Sequence, residues 1–272
     1  MNGERDFRLN MKKGRRRMKK ILLAIFLVET LLAGISGAVE TKVIVRAKSK
    51  DAKFIGSSMG GARVTVREAA TGAVLAEGLT EGGTGNTRRI MVEPVQRGER
   101  LSDDATAKFE AKIDIDQPTL ATVEVQAAAG PGNSRIKSST QLWLIPGKDI
   151  TGDGVTVEIP GFFVEVQAPR STETVPLTDG KAVLPVKVRV TMMCGCPIEP
   201  GGLWNADQYE VKAILRKNGG SGQIRPLPFT GTTSLFGGRL DLREAGSYEL
   251  IVYAYDPRTG NTGVDRTAFS VK

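Results

Sequence analysis

From residue 39 onward the chain alternates apolar and polar positions in short runs rich in Val, Ile and Thr, and Gly, Pro, Asn or Asp interrupts the runs about every ten residues. Alternation with a period of two turns one face of a strand to a core and the other to water, and a succession of short strands between such turns is the pattern of a β-sandwich. In the stretch 108–115, Phe109, Ala111, Ile113 and Ile115 alternate with Lys108, Glu110, Lys112 and Asp114. The pattern predicts strands at 41–47, 62–68, 73–78, 107–115, 119–127, 135–145 and 155–167, then at 182–194, 209–215, 224–229, 238–242, 247–255 and 266–271. No apolar stripe of helical period competes with them. Residues 88–105 lack clean alternation and read as a long loop, a length that in a compact domain often carries function.

Two stretches carry a resemblance. GARVTVREAATGAVLAEGLTEGGTGNT, residues 61–87, places a strand, a hairpin at Thr71-Gly72 and a second strand ending in a Gly-rich turn in succession. It resembles the opening of carboxypeptidase-regulatory or transthyretin-like domains. Near the C-terminus, Glu244-Ala245-Gly246-Ser247-Tyr248-Glu249-Leu250 followed by Asp256-Pro257-Arg258-Thr259-Gly260-Asn261-Thr262-Gly263 resembles the last two strands of bacterial immunoglobulin-like domains. Tyr248 stands where a tyrosine corner precedes the inter-sheet cysteine of antibody domains, and that cysteine is here Leu250. Both resemblances imply a fold and bring no catalytic or binding residues with them. The expected fold class is all-β: two consecutive immunoglobulin-like or transthyretin-like β-sandwich domains, 39–169 and 170–272, behind an N-terminal signal peptide, with a hinge at Ala168-Pro169-Arg170-Ser171-Thr172.

Charge and targeting are linked. The formal charge of +8 suggests an anionic partner until it is located: residues 1–38 hold nine Lys/Arg and three Asp/Glu, leaving 29 basic and 27 acidic residues beyond them. The nearly neutral remainder offers no basic stripe for phosphates, so nucleic acid is not an expected partner. Within the leader, KKGRRRMKK at 12–20 precedes the apolar run ILLAIFLV at 21–28, and Ser36-Gly37-Ala38 supplies small residues for cleavage. This reads as a signal peptide, 1–38, with translation starting at Met1, Met11 or Met18 and a periplasmic or secreted product. Glu29 interrupts the apolar run short of the roughly 20 residues an uncleaved membrane anchor needs, and no other apolar run approaches spanning length, so no membrane span is expected in the mature chain.

The absence of histidine excludes Ser-His-Asp and Cys-His catalysis and every imidazole metal site. Asp103, Asp104, Asp114, Asp116, Asp149 and Asp153 are scattered over turns and solvent faces and read as solvation, and the turn Asp256 to Asn261 is short of oxygen ligands for calcium. The expectation is a protein that is not an enzyme. One motif stands apart, Met192-Met193-Cys194-Gly195-Cys196-Pro197, which holds the only two cysteines. Alternation from Val186 puts Met192, Cys194 and Cys196 on one face. A bridge between residues two apart requires the strand to break, because their Cα atoms lie about 6.6 Å apart in a regular strand. Gly195 and Pro197 permit that break. Three readings stand: core thiols or a structural disulfide, a redox-active pair, or a soft-metal site in which Cys194, Cys196, Met192 and Met193 hold copper. The motif is expected beside the 256–263 loop and the 168–171 hinge. The leading functional expectation is a non-catalytic binding or structural module of the cell envelope whose partner is another exported or envelope protein or surface component. The alternative is a thiol-redox or copper-handling accessory protein.

Overall fold

The structure is a computed structural model that describes residues 37–127 and 136–272. The expected leader up to Ser36 and the start of the strand expected at 135 lie outside the described residues. The fold is all-β, and among the described residues no helix is long and apolar enough to cross a membrane.

The first half runs β1 (Val39–Ser49), β2 (Ala62–Glu68), β3 (Val74–Leu79), a short helix α1 (Thr87–Met91), β4 (Phe109–Ile115), β5 (Thr119–Ala127), β6 (Lys137–Leu144) and β7 (Ile150–Ile159). Two sheets form, β4-β1-β7 and β3-β2-β5-β6, with β7 parallel to β1 and the other neighbours antiparallel. Both send alternate side chains into one core, among them Val43 and Val45, Val64 and Val66, Ile113, Val123 and Val125, and Ile159. Each buried Val or Ile contributes about 1.5–3 kcal/mol relative to exposure, so alternation fixes register: a one-residue slip would turn a whole strand's apolar set to water.

The second half continues with β8 (Phe162–Ala168), β9 (Thr174–Val175), β10 (Ala182–Met192), β11 (Glu210–Lys217), β12 (Gln223–Pro226), β13 (Leu235–Leu242), β14 (Gly246–Tyr255) and β15 (Thr262–Val271). Its sheets are β13-β10-β8 and β12-β11-β14-β15-β9. They enclose a second core built on Leu184, Val188, Val190, Ala213, Leu250, Val252 and Phe269. This pairing of sheets across a core is compatible with a β-sandwich. The Tyr248 hydroxyl donates to the Glu244 carbonyl at 2.9 Å, and its ring stacks on Phe269 with centroids 5.4 Å apart. Leu250, two residues beyond Tyr248 on the same strand, is fully buried.

The strand expected at 155–167 is two strands. β7 pairs with β1 in the first half, whereas β8 pairs with β10 in the second. Pro160 has no N–H for a ladder and Gly161 follows it, so the chain leaves one core and enters the other between Ile159 and Phe162. The segment from 80 to 108 is also more ordered than a bare loop. Buried Arg46 of β1 donates to the Thr106 and Ala107 carbonyls at 2.5 and 2.9 Å, and Asp153 accepts the N–H groups of Leu101 and Ser102 at 2.8 and 2.9 Å. Burial opposes the charge on Asp153, but the hydrogen bonds from Ser102 and Leu101 and the nearby Arg46 together hold its carboxyl below the usual range. Asp153 therefore fastens the segment instead of merely facing solvent.

Candidate functional site

The cysteine motif forms where β10 ends. Alternation along β10 carries Met192, Cys194 and Cys196 into the second core, while Met193 turns into the first. The strand breaks there: the Gly195 N–H bonds the Met192 carbonyl at 2.8 Å, and the Met192 N–H bonds the Cys196 carbonyl at 3.2 Å. Gly195 takes φ +76°, a left-handed conformation that side chains disfavour. A Cβ on Gly195 would stand 2.5 Å from Sδ of Met59, a residue packed on the first core. The break brings the cysteine Cα atoms to 5.4 Å, and the two residues are joined as a disulfide, 2% and 4% exposed. Of the four sulfur-bearing residues named as copper ligands, Met192, Cys194 and Cys196 share the second core and Met193 lies in the first. The two cysteine sulfurs are bonded to each other, and Met192 and Met193 belong to different cores.

Around the motif the two cores are fastened together. Past the end of β1, Ala52 is buried in the second core, and the Asp51 carbonyl accepts the Trp204 indole N–H at 2.8 Å. Asn261 is fully buried: its Oδ1 accepts the Gly161 N–H at 2.9 Å and its Nδ2 donates to the Lys50 carbonyl at 3.1 Å. Lys50 Nζ reaches the Thr259 carbonyl at 2.7 Å. Tyr209 packs edge-on against Phe162 at 5.0 Å, and burial, then the charges of Asp256 and Asp51, push its hydroxyl up to about 12. The two oxygens of Asp256 are taken by its own turn, from the Arg258 N–H at 2.9 Å and the Thr259 hydroxyl at 2.8 Å.

Strand register locates the motif within this junction. Phe162 lies opposite Met192, and a Cβ on Gly263 would stand 2.5 Å from the Phe162 carbonyl oxygen, so Gly263 is what allows β15 to approach β8 there. The motif and the 256–263 turn accordingly share one end of the second core. The expected nearness to the 168–171 hinge is not found. Ala168 pairs with Lys187, at the end of β8 away from Met192, because β8 starts at the junction with Phe162 and runs away from it.

A second feature lies along β8, unannounced by any motif. β8 and β15 are not paired as strands, and between them opens a cavity of about 630 Å³ lined by Glu165, Gln167, Arg170, Lys187, Asp265 and Thr267, among others. The acids are engaged internally: Asp265 accepts the Val166 N–H at 2.8 Å, and Glu165 accepts the Gln167 amide at 3.2 Å. Among the described residues Arg170 and Lys187 have no ion-pair partner, and the buried Thr267 hydroxyl has no hydrogen-bond partner. The one sequence signal was Asp265 and Thr267, polar residues at inward positions of β15.

The chain matches no protein-family model and has no significant match among curated proteins.

Proposed function

We propose that this chain is an exported, non-catalytic binding module of the cell envelope that holds another exported protein or surface component at the β8–β15 cavity. The observation that carries this reading is the pair of unpaired cations, Arg170 and Lys187, on a cavity whose own carboxylates are committed to Val166 and Gln167. An acidic segment entering there gains two charge-assisted contacts without displacing an internal ion pair. Because Asp265 already occupies the Val166 N–H, recognition runs through charge and not through addition of a strand to β8. Support also comes from the leader-like start and the near-neutral remainder of the chain. The bridged and buried state of Cys194 and Cys196 favours a structural use of the motif over thiol-redox or copper handling.

The test is capture from envelope extracts with the purified chain as bait, alongside Arg170→Glu/Lys187→Glu. A partner retained by the parent and lost by the double variant, with salt weakening the capture, is the expected result. Equal capture by both chains would remove the cavity from the binding surface. No captured component, together with a measured catalytic activity, would end the binding-module reading.

A further inference from the structure

The outward face of the five-stranded sheet departs from the rule that the solvent side of an antiparallel sheet is polar. Register defines it. Ile214 pairs with Ile224 on one side and Ile251 on the other, giving an aliphatic row across β12, β11 and β14. In the next row Pro226, Lys212, Tyr253 and Val264 lie side by side, and Tyr255 stands above Tyr253 on the same face. Ile224 is 56% exposed and Val264 38%, while Ile214, Ile251, Tyr253 and Tyr255 are half-buried. Four strands and four alternate residues cover roughly 500 Å² of sheet. With the rim side chains added, that approaches the ~800 Å² per partner of a stable interface.

We propose that this face is an interface between two copies of the chain, stacked sheet on sheet about a twofold axis that lies between the sheets and runs perpendicular to the strands. The arrangement of charge points to a second copy. Along β11 the outward residues are Glu210, Lys212, Ile214 and Arg216, and along β14, in the opposite direction, Tyr255, Tyr253, Ile251 and Glu249. A twofold of this kind lays each strand over its own copy with its ends exchanged. Glu210 then faces Arg216 of the other copy, the Tyr255 hydroxyl faces Glu249, Ile251 packs on Tyr253, and Ile224 packs on Pro226. Glu210, paired on its own strand with Lys212, meets Arg216, which lies 3.7 Å from Glu249, so the contact joins two in-chain ion pairs on each side. In the middle Ile224 on Pro226 and Ile251 on Tyr253 form the apolar part, with Lys212 over Ile214 and Arg266 over Val264 beside them, each pair occurring twice as an isologous contact requires. The Lys212 ammonium is held by Glu210 on the same strand, which leaves its methylene stem to cover Ile214 of the second copy.

The experiment is sedimentation of the purified full chain across about 1–100 µM, with four variants, all at outward positions that leave the core intact. A concentration-dependent dimer is expected. Ile251→Glu should weaken it at least about tenfold by burying charge at its centre. Glu210→Arg or Arg216→Glu alone should each weaken it about tenfold, by setting like charges opposite one another, and the double exchange Glu210→Arg/Arg216→Glu should be tighter than either single variant but weaker than the parent, because it sets a new acid beside Glu249 and a new base beside Lys212. A chain that stays monomeric at 100 µM overturns the proposal and leaves the face to a different protein. A dimer indifferent to Ile251→Glu, or a double exchange no tighter than the single ones, overturns it as well.

Discussion

Replacing Asn261 by alanine is expected to loosen the junction between the two cores more than any surface change. The side chain is fully buried and satisfies two backbone groups from separate parts of the chain, the Gly161 N–H at 2.9 Å and the Lys50 carbonyl at 3.1 Å. Alanine leaves both without their partner. A buried polar group abandoned in this way costs about 1–3 kcal/mol, so the pair amounts to about 2–5 kcal/mol, toward the lower figure if water enters the vacated space. At about 2–4 °C per kcal/mol for a chain of this size, the melting temperature should fall by about 5–15 °C. Urea unfolding followed by tryptophan fluorescence reads the change, since Trp204 itself bonds across the junction to Asp51. Asn261→Asp sharpens the test. It keeps an acceptor for Gly161 but turns an anion toward the Lys50 carbonyl, so the introduced carboxyl gains a raised folded-state pKa. Its proton restores a donor, hence the variant should approach the parent at acid pH and lose stability as pH rises through that folded pKa. A loss of less than about 0.5 kcal/mol for Asn261→Ala would refute the view that these two bonds hold the junction.

Cys194→Ser/Cys196→Ser should cost about 1.6 kcal/mol, the chain-entropy value for closing so short a loop; titration of the native parent should find no reactive thiol, and tight copper binding by the reduced chain would instead revive the soft-metal reading. Tyr209→Phe should remove from the alkaline absorbance titration the tyrosine that ionises at about 12. Because that pKa is raised on folding, its contribution to stability is complete below the unfolded value near 10 and lost as pH climbs toward 12. Asp153→Asn weakens the acceptor of the Leu101 and Ser102 N–H groups, so trypsin should cleave after Arg97 or Arg100 several-fold faster than in the parent. If the leader is cut after Ala38, the mature chain should begin at Val39 and be recovered without membranes; an intact N-terminus found only with membranes would favour an uncleaved anchor.

What the sequence made legible follows how local each determinant is. β2 and β5 match their expected limits residue for residue, because period-two burial is written inside each strand. The split between β7 and β8 was legible too, in a shift of parity: Val155, Val157 and Ile159 are apolar at odd positions, whereas Phe162, Val164 and Val166 are apolar at even ones. A single strand cannot do this without turning its core face outward. β9 is two residues long and exists through pairing with Ser270 and Val271, so it leaves no pattern of its own. Likewise α1 is a five-residue helix capped by Asn86, too short for a stripe. The candidate sites divide in the same way. The break at Gly195 was readable from glycine and proline chemistry, but the hinge was placed at the wrong end of β8 because register between distant strands is not written in either one.

β15 shows how much one alternating strand can encode. Its odd positions face inward and its even positions outward, so Asp265 and Thr267 belong to the cavity beside β8, whereas Val264 and Thr262 belong to the outer sheet face. Arg266 borders both, lining the cavity while lying 3.8 Å from Glu249 on the outer face. Substitutions at 265 or 267 should therefore change capture of an acidic partner and leave self-association alone, and Val264→Glu should do the reverse. Arg266→Ala is the informative exception. It removes a cation from the cavity rim and leaves Glu249, the residue placed opposite Tyr255 of the second copy, to Arg216 at 3.7 Å, so it should weaken capture while leaving the dimer about equal. Parallel loss of both would mean that Arg266 holds β15 in place, and that the two surfaces are not independently adjustable.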